Sequence, residues 1–364
     1  MIAYYAHSEG SGHARYASIF YNLLAGKLKI FSSTPSNFSP EIRIMKLAKE
    51  DPDGTELPID SVGFPDYLHY SPVGQHSIQR RSLQLLTGLV NGRCNLFFID
   101  VSVEVAALAR ASSIPYAYIK LPGLRNDNPH LQALKGSIFN LAYYPEAFEH
   151  PSTPKWMKDK TLYLDYFSRF SLDQNNTGNT PTTIRKILVI RGKGEASKLL
   201  KSLPDIGKRF EGLEIKALGD FSELETSISG IHFLGYQSKV SAFINEADLV
   251  ISSAGLNLTS EILYSQKIFC CIPEKRPFHE QEHTASVLYN HRLAYNITDI
   301  LLLSNEELIQ DRETYDHTTS LKKMQLFLSW LETSGFDTKK LVTSFKVIKE
   351  KFIKIDKNFA TSIS

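Results

Sequence analysis

Four groups of residues in this 364-residue chain have types and spacings that could do chemistry. Gly10-Ser11-Gly12-His13 lies between a strand-like run, residues 2–6, and a helical segment, residues 14–25. Two glycines let the backbone pass close to a ligand, and a helix N-terminus favours negative charge. Arg15 stands where a dinucleotide fingerprint needs its third glycine, and there is no G-K-[ST], so NAD and P-loop sites are disfavoured. Residues 252–261, SSAGLNLTSE, repeat the arrangement: Ser253, Gly255, Asn257 and Thr259 leave a strand and enter a helix. Small donors and free N–H groups there suit a diphosphate. Glu261 falls about one turn inside that helix, where it could accept from a ribose diol. The competing reading makes it the acid of a capping box on Asn257 or Leu258.

Asp100 ends the apolar strand 96–100, and ligands of doubly wound sheets bind outside such strand ends. A carboxylate there can orient an imidazole, or cap the helix predicted over 103–111. His279-Glu280-Gln281-Glu282-His283 satisfies the zinc pattern H-E-x-x-H. Pro277, two residues before it, predicts a loop or helix start where zinc ligation needs an established helix, and Ser286 replaces the glycine of the longer motif. The segment then offers Glu280 and Gln281 to sugar hydroxyls, and no metal site is expected.

These residues need elements to carry them. Strand-length apolar runs alternate with helical segments: 2–6, 29–32, 96–100 and 116–120 read as strands, 14–25, 77–91 and 103–111 as helices. In 77–91 the apolar stripe is Leu83, Leu86 and Val90. The polar run 171–183 breaks the rhythm, which restarts with strands at 186–190, 213–217, 231–234, 249–252 and 268–272. Helices are read at 196–203, 240–245 and 258–265. The pattern predicts an α/β chain of two Rossmann-like, doubly wound domains facing across a cleft, with mostly parallel sheets. The expected divisions are 1–170, a linker 171–184, a second domain 185–335, and a basic helical tail 336–364.

Composition narrows the classes. Forty-one Lys and Arg balance 39 Asp and Glu, too even for a polyanion binder, so no nucleic-acid partner is expected. No run approaches the roughly 18 apolar residues of a membrane span, and the N-terminus does not read as an export signal. Cys94, Cys270 and Cys271 read as reduced thiols, which suggests a cytoplasmic location. Seven lysines between 339 and 357, against Glu350 and Asp356, read as a solvated face or as contact with an anionic surface, either phospholipid or the opposite domain. With Leu83, Leu85, Leu86 and Leu89 beside Arg80 and Arg81, they make weak peripheral contact with the inner membrane face an expectation.

The pairing of GSGH with ISSAGLNLTSEILYSQKIFCCIPEKRPFHEQEHTASVL resembles the GT-B glycosyltransferases. The likeness is to the group around the peptidoglycan lipid-linked N-acetylglucosaminyltransferase and the UDP-glycosyltransferases. It implies transfer of a sugar from a nucleoside diphosphate sugar, UDP-linked, to a hydroxyl acceptor, with inversion and without metal. By resemblance, Ser253, Gly255, Asn257 and Thr259 serve the donor diphosphate, Glu261 the ribose, and Glu280 with Gln281 the sugar, and Gly12 counts among the ligand-binding residues. Tyr236 falls near the base-contacting position, and Gly192 with Gly194 where the group has a glycine turn facing the cleft. Plant members carry His where Ser253 stands, and the Arg191–Gly194 turn is shorter than that of the peptidoglycan enzyme. An inverting transfer needs a base, and His13 paired with Asp100 is the expected dyad, with His7 the local rival. A nucleotide-sugar hydrolase, or a non-catalytic nucleotide-sugar-binding protein, is the alternative on the same fold. The acceptor, a glycan, glycolipid or small molecule, would meet loops such as 51–73 and 121–129.

Overall fold

The computed structural model describes residues 1–8, 12–50, 62–168, 180–224 and 228–360. Gly10 and Ser11, residues 51–61 of the acceptor loop and residues 171–179 of the linker lie outside the described residues. The chain runs β1 (Ile2–Tyr5), α1 (Gly12–Leu23), β2 (Leu28–Ser32), β3 (Ile44–Lys46), α2 (His76–Asn91), β4 (Leu96–Asp100), α3 (Val103–Ala111), β5 (Tyr116–Lys120), α4 (Asn128–Gly136), β6 (Phe139–Ala142), α5 (Lys155–Asp159) and β7 (Thr161–Tyr163). It continues β8 (Lys186–Ile190), α6 (Ser197–Arg209), β9 (Glu214–Leu218), β10 (Ile231–Phe233), α7 (Val240–Glu246), β11 (Leu249–Ser252), α8 (Leu256–Tyr264), β12 (Ile268–Cys271), α9 (Glu280–Asn290), α10 (Ile297–Leu302), α11 (Asn305–Gln310), α12 (Thr318–Thr333) and α13 (Thr338–Ala360).

The strands form two parallel sheets. The first is ordered β3-β2-β1-β4-β5-β6-β7 and the second β10-β9-β8-β11-β12. Their central strands are buried along their length, as in β4, LFFID, because helices cover both faces. Strand order reverses between β1 and β4 in one sheet and between β8 and β11 in the other. Those are the switch points where doubly wound folds hold ligands. His13 follows β1 and Asp100 ends β4 at the first switch point, while Gly192 and Ser253 follow β8 and β11 at the second.

Two elements depart from the sequence reading. Leu83 and Val90 of α2 face outward, and the helix buries Arg81, Leu85, Gly88 and Leu89 instead. Arg81 is drawn inward by Glu50 at 2.8 Å, the Ala48 carbonyl at 2.7 Å and the Tyr5 hydroxyl, so a charged position belongs to the buried stripe. The second departure is α12, which falls within the expected second domain yet packs on the first sheet. Phe327 meets Phe20, Phe98 and Phe139 with ring centroids 6.3, 6.4 and 6.3 Å apart, and Trp330 lies 5.2 Å from Phe139. Lys323, fully buried, pairs with Asp165 at 2.7 Å. The chain therefore returns to the first domain before residue 336. The basic helix α13 follows it, and its Lys349 turns inward to Glu146 at 2.8 Å.

Candidate active site

His13 sits in the first turn of α1, directly beyond the end of β1, and its Nδ1 lies 2.9 Å from Asp100 Oδ2. Asp100 is buried, and the Tyr4 hydroxyl donates to the same oxygen at 3.0 Å. Ser102 caps α3 by accepting from Val105 N, which leaves Asp100 to the imidazole rather than to the helix. Burial alone would lower the His13 pKa, but the Asp100 carboxylate and its hydrogen bond outweigh this and raise it above the ordinary histidine value. His7, with its ring 5.6 Å from that of His13, is shifted the other way, first by burial and then by His13. The two histidines are shifted in opposite directions, and the Asp100 carboxylate lies at hydrogen-bond distance from His13. With Nδ1–H donated to Asp100, the neutral His13 ring carries its lone pair on Nε2.

Across the cleft, Gly255 is the N-cap residue of α8, and Ser253, Gly255 and Asn257 are partly exposed around that helix start. Thr259 is fully buried in the domain interior, and its hydroxyl has no hydrogen-bond partner among the described residues. Glu261 lies six residues beyond the cap, which removes the capping-box reading. Its carboxylate, 2% exposed, pairs with Arg15 of α1 at 3.0 Å, a contact that joins the two domains.

A second junction lies at Glu280. Arg125, from the loop after β5, reaches Glu280 at 2.7 Å and stacks its guanidinium 4.6 Å from the Phe278 ring centroid. Burial raises the Glu280 pKa, with Arg125 and His13 opposing. Leu124 N donates to the Phe278 carbonyl at 2.7 Å. Gly123, at φ +95°, permits the approach, since a Cβ there would fall 2.5 Å from that carbonyl oxygen. Gln281 is buried and accepts from Glu274 N at 2.9 Å. Glu274 in turn accepts from Leu199 N at 2.8 Å and Lys198 N at 3.2 Å, and so occupies the start of α6. Gly192 and Gly194 are exposed ahead of that helix, and Arg276 lies against Gly194. Tyr236 is exposed after β10.

The HEQEH segment does not form a helical zinc motif. His279 has left-handed backbone, φ 52°, ahead of α9, and His283 Nε2 is spent on the Phe148 carbonyl at 2.9 Å. Among the described residues, the group with metal-ligand chemistry is His69, Asp127 and His130, which sequence reading missed because 57 residues separate His69 from Asp127. Asp127 already bridges both imidazoles at 2.6 and 2.7 Å, and Arg125 stands 3.2 Å from His130 Nε2. Burial and then Arg125 push His130 down to about 4, keeping it neutral beside that cation.

Comparison with known proteins agrees with this arrangement. Residues 186–325 match the glycosyltransferase family 28 C-terminal domain. The spinosyn forosaminyltransferase SpnP superposes with a TM-score of 0.55 at 9% identity, over 97% of this chain and 94% of that one. MurG of Acinetobacter baumannii does so with a TM-score of 0.50 at 12% identity, over 98% and 99%. SsfS6 of Streptomyces sp. SF2575, complexed with thymidine diphosphate, gives 0.50 at 13% identity, over 82% and 88%. No curated protein matches the chain in sequence. The fold is GT-B, and with the match across the second domain it makes this chain a glycosyltransferase. That second domain is of the family 28 type.

Proposed function

We propose that the protein is an inverting, metal-independent transferase that moves a sugar from a nucleoside diphosphate sugar, UDP-linked, to a hydroxyl acceptor. The observation that carries this reading is the His13–Asp100 pair at one switch point, with the start of α8 across the cleft from it. Ser253, Gly255 and Asn257, with the free N–H groups of α8, hold the diphosphate; Glu261 takes the ribose and Glu280 the sugar. His13 Nε2 takes the acceptor proton as the acceptor oxygen bonds to the anomeric carbon. The bond from that carbon to the diphosphate breaks, its electron pair leaves with the phosphate oxygen, and the helix dipole stabilises the charge. Asp100 stabilises the imidazolium without taking the proton itself.

Turnover of UDP- and dTDP-sugars, with and without a panel of hydroxyl acceptors, tests the proposal. A transferase releases nucleoside diphosphate only with an acceptor present. Release without one would show a hydrolase, and no release with measurable binding would show a binding protein.

A further inference from the structure

Arg15 is a residue at the start of α1 that the proposed chemistry leaves unused. It stands two positions after His13, on α1, and its side chain is a third exposed while that of Glu261 is buried. One N–H is given to Glu261, and the others have no partner among the described residues. The two helices meet at their starts as well. A Cβ on Gly12 would fall 2.6 Å from Asn257 Nδ2, so the first turn of α1 lies against the first turn of α8.

This juxtaposition fixes where the spare donors of Arg15 lie. At about 1.5 Å per residue, Asn257 and Glu261 are about 6 Å apart along α8, about the reach from a ribose diol to the phosphate on the same nucleoside. A nucleotide with its ribose on Glu261 and its phosphates at the α8 start therefore runs alongside Arg15. The start of α8 itself meets a diphosphate with the small side chains of Ser253, Gly255 and Asn257 and a helix dipole equivalent to about half a charge. Arg is the side chain best suited to supply the rest, because its fork can hold a carboxylate with one N–H and a phosphate with others.

We infer that Arg15 is a donor-site residue supplied by the first domain, binding the diphosphate while its contact with Glu261 orients both side chains. This rests on the nucleotide-sugar reading of the α8 site. It also makes the donor site a two-domain site, complete only with α1 and α8 together.

Calorimetric titration with UDP and dTDP, with uridine and thymidine as controls, tests it on the whole chain. Arg15→Ala should weaken the nucleoside diphosphate that binds by about tenfold to a hundredfold, as expected for charged hydrogen bonds. It should weaken the matching nucleoside much less and flatten the salt dependence of diphosphate binding. Arg15→Lys, which keeps the charge, should recover part of the loss, and unchanged thermal unfolding would exclude misfolding. Equal losses for nucleoside and diphosphate would overturn the diphosphate contact, leaving Arg15 a support for Glu261. Unchanged affinity in Arg15→Ala would overturn the inference and leave the donor reading standing. Failure of the wild-type chain to bind either diphosphate would overturn both.

Discussion

Removing either member of the His13–Asp100 pair should slow turnover by amounts that the geometry sets. His13 gains a charge as it takes the acceptor proton, and Asp100 lies 2.9 Å away with its side chain only 1% exposed. A hydrogen bond to a charged group is worth about 1.5–3 kcal/mol, so Asp100→Asn should cost about tenfold to 150-fold in turnover. His13→Ala removes the base and should cost about 10²–10⁴-fold, with nucleoside diphosphate affinity near wild type. Because the two act as one unit, the double variant should lose less than the sum. The pH profile adds a readout that a structural role would not move. His13 has its pKa raised by Asp100, so the acidic limb of kcat/KM should lie above the ordinary histidine value of about 6.5. In Asp100→Asn burial, the largest cause, and Arg125 lower the pKa against Glu280 alone, and the limb should move to lower pH. The stability sign agrees. The charged His13 form contributes stability below about pH 6.5 that is lost as pH rises through its folded value, and Asp100→Asn should abolish that dependence. Initial rates across pH 5–9 with thermal unfolding check both. A wild-type rate in His13→Ala, or an acidic limb unmoved in Asp100→Asn, would refute the dyad.

Three further outcomes are expected. Glu261→Ala should weaken nucleoside diphosphate binding by about 1.5–3 kcal/mol per lost charged bond, and calorimetry checks it; a variant that loses stability but keeps affinity would assign Glu261 to folding alone. Turnover should survive EDTA, since a helix N-terminus and cationic side chains can stabilise the departing diphosphate; restoration of EDTA-killed activity by a divalent ion would contradict this and point to His69, Asp127 and His130. Lys339, Lys340, Lys346, Lys351 and Lys354 are exposed on α13 beside Val342, Val347 and Ile353, and each near an anionic leaflet adds about 1 kcal/mol. Sedimentation with anionic liposomes at low salt should show binding that Lys→Glu changes on this face remove.

Much of the scaffold was legible because parallel strands covered on both faces must be apolar throughout. The bounds of α3 and β4 follow directly from their runs, and both switch-point loops were marked by glycine and small residues between a strand and a helix. What sequence could not show is contact between distant segments. Arg15 and Glu261 are 246 positions apart, and Arg125 and Glu280 are 155, so no local pattern pairs them. The same holds for α12, whose aromatic face suits either sheet until the chain is folded. In α2 Leu83 and Val90 of the predicted stripe face outward, and Arg81 is buried in their place because Glu50, the Ala48 carbonyl and the Tyr5 hydroxyl satisfy its charge inside. Thr259 shows the limit of motif transfer: its place in the small-residue run suggested a ligand contact, whereas helix phase turns it into the core.

A structure of the chain with a UDP-sugar bound in the presence of EDTA tests the central claim most directly, since that claim is one of relative position. The account predicts the ribose on Glu261, the diphosphate at the start of α8, and the anomeric carbon turned toward His13 with room for an acceptor hydroxyl between them. A donor bound with its sugar facing away from His13, or held only when a divalent ion is restored, would contradict it.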